Sequence, residues 1–165
     1  MAMDCKQRLE SYLREQRVPF QVQHHPLVYT AQEVAAVEHV PGRLVAKVVV
    51  VIADGKPVML ALPAPYRVDL DRVQALLGAR EARLAREEEF LTLFPDCEVG
   101  AMPPFGNLYQ IPVYVDTALA QDETIIFQAG THTDTMSLKY ADFARLVQPT
   151  VATFAYQPTA TRPAA

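Results

Sequence analysis

Leu44-Val45-Ala46-Lys47-Val48-Val49-Val50-Val51-Ile52-Ala53-Asp54-Gly55-Lys56-Pro57-Val58-Met59-Leu60-Ala61-Leu62 is the stretch that decides the fold. Residues 44–53 are a dense β-branched run broken by one charge, Lys47, and read as a central strand. Asp54-Gly55 is a tight hairpin signal, so residues 56–62 return antiparallel to the first run. Pro41-Gly42 marks a turn before this unit, and Pro63 and Pro65 close it.

Upstream, Asp4 can cap a helix that places Leu9, Tyr12 and Leu13 on one face and ends near Arg17. Residues 18–23 alternate apolar and polar side chains as a half-buried strand does, and His24, His25 and Pro26 end it. Thr30-Ala31-Gln32-Glu33 matches a capping box and predicts a short helix to about Glu38.

Downstream, Asp69 caps a predicted helix over 69–77 that Gly78 stops. A second helix is expected over 86–93, where Glu87, Glu88 and Glu89 complement the dipole of the first turn. Pro95, Gly100, Pro103, Pro104, Gly106 and Pro112 make 95–112 a long, stiff loop. Strands are expected over 111–115 and 124–129, then a turn over 130–134, a strand over 135–138 and a helix over 140–147. From Pro149 to Ala165 the composition suits neither helix nor sheet, and a loosely packed or frayed tail is expected. The fold class is mixed α/β, a mixed sheet with helices around it, in one domain spanning 1–165.

Apolar residues make up 50% and charged residues 21% of the 165, the composition of a chain that folds around a core. No apolar run approaches the roughly 20 residues of a membrane span. The first 13 residues lack the apolar core of a secretory signal, so a cytoplasmic location is the expectation. Cys5 and Cys97 are accordingly expected as thiols. A net charge of -4 argues against a long footprint of phosphate contacts, and against DNA, while leaving room for a small basic pocket.

Counting removes several chemistries. The two serines, Ser11 and Ser137, sit in no nucleophile elbow. The six glycines make no dinucleotide or Walker loop. His24, His25, His39, His132 and the two cysteines take no zinc-like spacing, so neither metal nor cofactor is expected.

Three features carry the candidate chemistry. Lys47 shares its strand face with Val45, Val49 and Val51, while Ala46, Val48, Val50 and Ile52 occupy the other. An ammonium between two apolar faces either snorkels outward or meets an anionic ligand. Gly100-Ala101-Met102-Pro103-Pro104-Phe105-Gly106 is either a rigid surface turn or a loop whose amides grip a carbonyl or carboxyl oxygen. In Ala129-Gly130-Thr131-His132 the histidine is either solvated or part of a site.

Together these features resemble the YbaK and prolyl-tRNA-synthetase-associated editing domain family, whose members hydrolyse mischarged aminoacyl-tRNAs. The matching stretches are His25-Pro26, Thr30–Glu33, 46–50, 94–106 and 129–131, in that order along 25–147. The resemblance implies a curved, largely antiparallel mixed sheet or partial barrel surrounded by helices. It places Lys47 at the tRNA 3′ end, near the terminal adenosine and phosphate, and the amides of Gly100 to Pro104 on the aminoacyl carbonyl. Water attacks the ester, helped by the ribose 2′-hydroxyl. His132 resembles the histidine that shapes the pocket in the branch that removes alanine from proline tRNA.

The catalytic set implied is therefore Lys47, Gly100 and His132. Substrate contacts are expected from His25, Thr30, Gly130 and Thr131, and along the loop from Ala101, Met102, Pro103, Pro104, Phe105 and Gly106. Alanine is the first expectation for the amino acid, with serine, threonine, proline and cysteine as alternatives. The partners expected are the acceptor end of a mischarged tRNA and prolyl-tRNA synthetase. The rival reading is a non-catalytic module that senses a charged tRNA end, a nucleotide or an amino acid.

Overall fold

The computed structural model describes residues 3–158. In chain order the elements are α1 (Cys5–Glu15), β1 (Gln21–His24), α2 (Ala31–Glu38), β2 (Ala46–Ala53), β3 (Lys56–Pro63), β4 (Arg67–Val68), α3 (Leu70–Leu77) and β5 (Ala82–Leu84). There follow α4 (Glu87–Leu93), β6 (Val113–Asp116), α5 (Thr117–Ala120), β7 (Thr124–Gln128), β8 (Asp134–Lys139), α6 (Tyr140–Val147), β9 (Thr150–Ala152) and β10 (Ala155–Tyr156). Local chemistry sets the helix starts as expected. Asp4 accepts from the Gln7 amide, Thr30 and Glu33 form the reciprocal capping box, and Asp69 accepts from the amides of Asp71 and Arg72.

The β2–β3 hairpin pairs Lys47 with Leu62 and Val50 with Met59, and Asp54-Gly55 makes its turn. It forms the middle of a five-stranded sheet in the order β5-β2-β3-β6-β9. β5 joins antiparallel, and β6 and β9 join parallel. A separate antiparallel sheet runs β1-β8-β7, and β4 pairs with β10. A parallel bridge between Val45 and Ile126 links the two larger sheets, and no barrel closes among the described residues.

Both faces of the hairpin are covered, as its two-sided apolar pattern requires. Ala46, Val50, Met59 and Ala61 face a core holding Phe94, Phe105, Phe127 and Phe143. Val51, Leu60 and Leu62 face a second cluster with Val73 and Phe154. Burying one such aromatic contributes about 1.5–3 kcal/mol of transfer free energy. Val45 packs on Ala31, Val34 and Ala35 and so seats α2 against the edge of this layer.

Several expectations are corrected. The strand expected over 18–23 begins only at Gln21, because Pro19 has no amide to donate and Val18 is drawn into the core beneath α1. The 95–112 loop contains a 3-10 turn at Gly106–Tyr109. The mixed α/β class stands, with its strands divided among three sheets. The 150–156 part of the tail is not frayed: β9 and β10 flank a fully buried Phe154, and Asp116 Oδ1 accepts from the amides of Phe154 and Ala155 at 3.0 and 2.9 Å. The rest of that expectation, over 159–165, lies outside the described residues, as do the first two residues of the chain. Cys5 and Cys97 are not thiols but a disulfide that ties α1 to the 95–106 loop. No helix among the described residues is long and apolar enough to cross a membrane.

Candidate functional site

The site grows from the turn between β7 and β8. Gly130 sits at φ +99, which only glycine adopts freely, and an added Cβ would lie 2.7 Å from Cys5 Sγ. Asp134 fastens the turn's far side: its Oδ2 accepts from Thr131 Oγ1 at 2.6 Å and its Oδ1 lies 2.9 Å from His24 Nδ1. Burial raises the Asp134 carboxyl, but the hydrogen bonds from Thr131 and His24 outweigh it and hold the group below its ordinary range.

The loop that follows Phe94 is laced to this turn. The Glu98 amide donates to the Gly130 carbonyl at 2.8 Å, the Gly130 amide to the Ala101 carbonyl at 2.9 Å, and the His132 amide to Glu98 Oε1 at 3.0 Å. The His132 ring, 8% exposed, completes the lacing. Its Nε2 lies 2.8 Å from the Val99 carbonyl, which can only accept, so Nε2 carries the proton. Its Nδ1 is then the acceptor facing Gln128 Nε2 at 3.3 Å.

Residues 25–30 close over the same turn. The His25 amide donates to the Thr133 carbonyl at 2.8 Å, the Val28 amide reaches the His132 carbonyl at 3.3 Å, and the Tyr29 and His132 ring centroids are 4.9 Å apart. Tyr29 remains 62% exposed, an aromatic face presented to solvent beside the site. The His25 side chain is buried: Nδ1 donates to the Pro26 carbonyl at 2.7 Å, and Nε2 faces Glu38 Oε2 at 3.9 Å without a hydrogen-bond partner.

The structure thus ties Gly100, Ala101, Gly130, Thr131 and His132 together, with the His25 backbone and the Tyr29 ring against the same turn, whereas the Thr30 side chain is engaged with Glu33 at the start of α2. Gly100 is exposed at φ +85, and its Cβ position lies 3.7 Å from His132 Cε1. The Ala101 amide is engaged by the Glu98 carbonyl, whereas the amides of Gly100 and Met102 make no hydrogen bond among the described residues. Beyond that point the loop turns inward: Met102, Pro103, Pro104, Phe105 and Gly106 are buried, and Met102 and Phe105 belong to the main core. Gly106 is glycine for packing, since a Cβ there would lie 2.5 Å from the Ile111 carbonyl.

Lys47 stands apart from this lacing. It lies half-buried on the β2 face that also carries Val49, and its ammonium makes neither an ion pair nor a hydrogen bond among the described residues. Burial lowers its basicity, and the charge of Arg67 lowers it further. Tyr29, Glu98, Asp134 and Arg67 were not singled out in the sequence. An exposed aromatic beside the Thr30 capping box was a usable signal for Tyr29, whereas Glu98 and Asp134 act through contacts that spacing does not reveal. The group of potential metal ligands among the described residues, Cys5, Asp96 and Cys97, is a disulfide beside a carboxylate to which Tyr109 donates at 3.0 Å. Bonded sulfurs are not thiolate ligands, so this group is not a metal centre in this state.

Comparison with known proteins adds the following. The family model for the aminoacyl-tRNA editing domain matches residues 25–146. A multifunctional Ser/Thr-tRNA deacylase, ProXp-y of Escherichia coli (strain K12), is 29% identical over 153 residues, covering 90% of this chain and 91% of the relative. A proline–tRNA ligase of Acidithiobacillus ferrooxidans is 32% identical over 91 residues, 55% of this chain and 16% of the ligase. A solved structure provisionally assigned as a trans-editing enzyme for prolyl tRNA synthetase superposes with a TM-score of 0.81 at 21% identity, covering 94% of this chain and 99% of the other.

Proposed function

The chain belongs to the aminoacyl-tRNA editing domain family, an ester-hydrolysing family, and from that premise we propose that it is a free-standing deacylase that removes a small amino acid from the 3′ end of a mischarged tRNA. The observation that carries this reading is the lacing of the Gly100–Ala101 loop to the Gly130–His132 turn, in which the exposed Gly100 has an amide that makes no hydrogen bond among the described residues and stands beside a buried imidazole. A fixed amide dipole of this kind stabilises the oxygen on which charge develops during ester hydrolysis, and it needs no reorganisation to do so.

In this reading water adds to the acyl carbon and the ester bond to the ribose 3′-oxygen breaks. The neighbouring 2′-hydroxyl assists the proton's passage to the departing oxygen. Gly100 meets the acyl oxygen, His132 holds the loop that presents Gly100, and Lys47 meets the nucleotide end. Thr131, His25 and Thr30 shape the surrounding wall with Tyr29. Alanine on proline tRNA is the substrate that His132 favours. Serine or threonine is the second reading, supported by the similarity to the Escherichia coli Ser/Thr-tRNA deacylase. One methylene or hydroxyl changes selection in such a pocket by only about 1–3 kcal/mol, so a graded preference is expected. With a net charge of -4 the chain grips the acceptor end alone, and prolyl-tRNA synthetase is the partner that would hold the rest of the tRNA.

The test is release of labelled amino acid from tRNAs charged with alanine, serine, threonine, cysteine or proline. Hydrolysis of at least one well above the rate in buffer supports the deacylase. Binding of charged tRNA without turnover would select the sensing module instead.

A further inference from the structure

We propose that the cavity between the end of α2 and the β1-β8-β7 sheet is a binding site for a primary ammonium on a short alkyl stem, with the buried Glu38 carboxylate as its anchor. The cavity shares no lining residue with the proposed deacylase site, and the inference does not rest on that reading.

Strand register builds one wall. Gln23 pairs with Thr135 and Gln21 with Ser137, and Ser137 pairs in turn with Ile126, so these side chains stand on one face of the sheet. The end of α2 supplies the other wall: His39 takes the left-handed conformation at φ 57, and Glu38 and Val40 on either side of it line the cavity. The space enclosed is about 290 Å³. That is close to the roughly 300 Å³ at which ligand pockets begin, so the occupant is small.

Glu38 is the group that calls for a ligand. Its side chain is 2% exposed, its Oε2 accepts from Thr135 Oγ1 at 2.6 Å, and its Oε1 makes no hydrogen bond among the described residues. His25 Nε2 lies 3.9 Å from Oε2 and has no hydrogen-bond partner. The His25 Nδ1 proton is committed to the Pro26 carbonyl, so the neutral ring turns a lone pair, not a proton, toward the carboxylate. One hydroxyl does not offset the water that a carboxylate loses on such burial.

The rest of the lining selects among possible occupants. The hydroxyls of Thr135 and Ser137 and the side-chain carbonyls of Gln21 and Gln23 offer further acceptors, and no lysine, arginine or histidine lines the cavity. A phosphate or a zwitterionic amino acid would set its own anion against Glu38 with no cation to meet it. A hard metal ion such as calcium takes about 6–8 oxygens, and Val40 and Ile126 occupy part of the wall it would need. A primary ammonium fits both halves: its N–H groups donate to Glu38 and the neighbouring oxygens, and its stem lies along Val40 and Ile126.

The test is calorimetric titration and thermal melting of the full chain with n-butylammonium chloride and with Nα-acetyl-lysine amide, which present the same head group as a free amine and as a lysine side chain. At least one is expected to bind saturably and to raise the melting temperature, and the tighter of the two identifies the source. 1-Butanol has the stem without the charge, and tetramethylammonium chloride has the charge without N–H donors. Both should bind about tenfold or more weakly than the amine, the scale of one charge-assisted hydrogen bond. Glu38→Gln keeps an acceptor for Thr135 while removing the charge, and should weaken amine binding by about tenfold or more. Ser137→Leu fills the cavity from the β8 side and should also weaken binding, which keeps the site testable if Glu38→Gln folds poorly. If neither amine binds, or if a folded variant binds as the wild type does, the proposal is overturned and Glu38 is neutralised by His25 as an imidazolium. Equal stabilisation by calcium chloride would overturn it in favour of a metal ion.

Discussion

His132 Nε2 lies 2.8 Å from the carbonyl oxygen of Val99 and must donate to it, which leaves neither ring nitrogen free to take a proton from water, since Nδ1 faces the Gln128 amide. His132 is therefore a positioning residue in the proposed site, and its proton stays where the Val99 carbonyl holds it. His132→Ala should lower stability by about 1–2 kcal/mol, the range for a lost hydrogen bond whose partner is left unmet. It should reduce kcat/KM ten- to a hundredfold as the 98–101 loop drifts. The discriminating measurement is the pH dependence of kcat/KM between 5.5 and 8: a general-base histidine gives a limb that vanishes in the variant, whereas a positioning histidine lowers the profile without reshaping it.

Lys47 is expected to trade stability for function. Replacing it with Met keeps the apolar stem and removes the unpaired charge, so Lys47→Met should raise the melting temperature while cutting deacylation about a hundredfold. Burial, and then Arg67, pull its basicity below the ordinary 10.5, so the cost of the charge is fully present at neutral pH. That cost fades as pH rises through the lowered value toward the ordinary one. The stability gap between variant and wild type, measured by denaturant titration, should accordingly be widest near pH 7 and narrow as pH rises toward the ordinary 10.5, with the sign reversed if Lys47 had a hidden carboxylate partner.

Two glycines at positive φ should respond very differently to alanine. Gly55, at φ +82, has open space around its missing Cβ, so Gly55→Ala meets only backbone strain of about 1–2 kcal/mol. Gly130, at φ +99, adds contacts of 2.7 Å to Cys5 Cβ and Sγ and 3.2 Å to the Lys6 amide, so Gly130→Ala should exceed 3 kcal/mol. Thermal denaturation of the pair separates a purely conformational role for Gly130 from the close approach of α1 to the turn. Equal losses would show that α1 yields without penalty.

How far these features were legible in the sequence follows from what each rests on. The β2–β3 hairpin and the caps of α1, α2 and α3 depend on chemistry within a few residues, and the residues that specify them are adjacent in the chain. β4, β5, β9 and β10 are two or three residues long, too short for periodicity, and exist because neighbouring chains offer amides and carbonyls to pair with. Phe154 stands in a stretch whose composition suits neither helix nor sheet, yet it is fully buried and its amide donates to Asp116, 38 residues earlier. Gly100, Gly130 and His132 could be picked out as one candidate site, but the members that lace it, Glu98 and Asp134, are ordinary acidic residues until the fold brings an amide or hydroxyl to them. In the run from Met102 to Gly106 the breakers announce a stiff loop but not its depth: all five residues are buried, and Met102 and Phe105 belong to the main core, because the loop turns inward only once the Gly130 turn is beside it.

The Cys5–Cys97 bond closes a loop with a sequence separation of 92, and by chain entropy a loop of that size is worth about 4–5 kcal/mol, of which 2–4 is typically realised. Reduction by excess dithiol should lower the melting temperature by about 10 °C, on the usual 2–4 °C per kcal/mol for a chain of this length. Cys97→Ser should melt at the reduced protein's temperature and ignore the dithiol. Because Cys97 precedes Glu98, activity should also fall on reduction. A melting temperature indifferent to dithiol would remove the bond from any account of stability.

Asp134 makes the site's stability depend on acid. Burial pushes its carboxyl up, but hydrogen bonds from Thr131 and His24, together with the charge of Lys6, pull it below the ordinary 3.8. A carboxyl lowered by folding contributes stability that is complete above its unfolded value and is lost as pH falls through the folded one. Asp134→Asn keeps the shape but gives up the charge, and its amide must present a donor where either Thr131 or His24 already donates. The variant should therefore lose about 1–2 kcal/mol near pH 6, the scale of a charge-assisted hydrogen bond, and that deficit should shrink below about pH 4 as the wild-type carboxyl protonates. Paired denaturant titrations of the two proteins from pH 3 to 7 read this directly. A deficit that stays constant down to pH 3 would mean that shape, not charge, is what Asp134 gives the turn that carries His132.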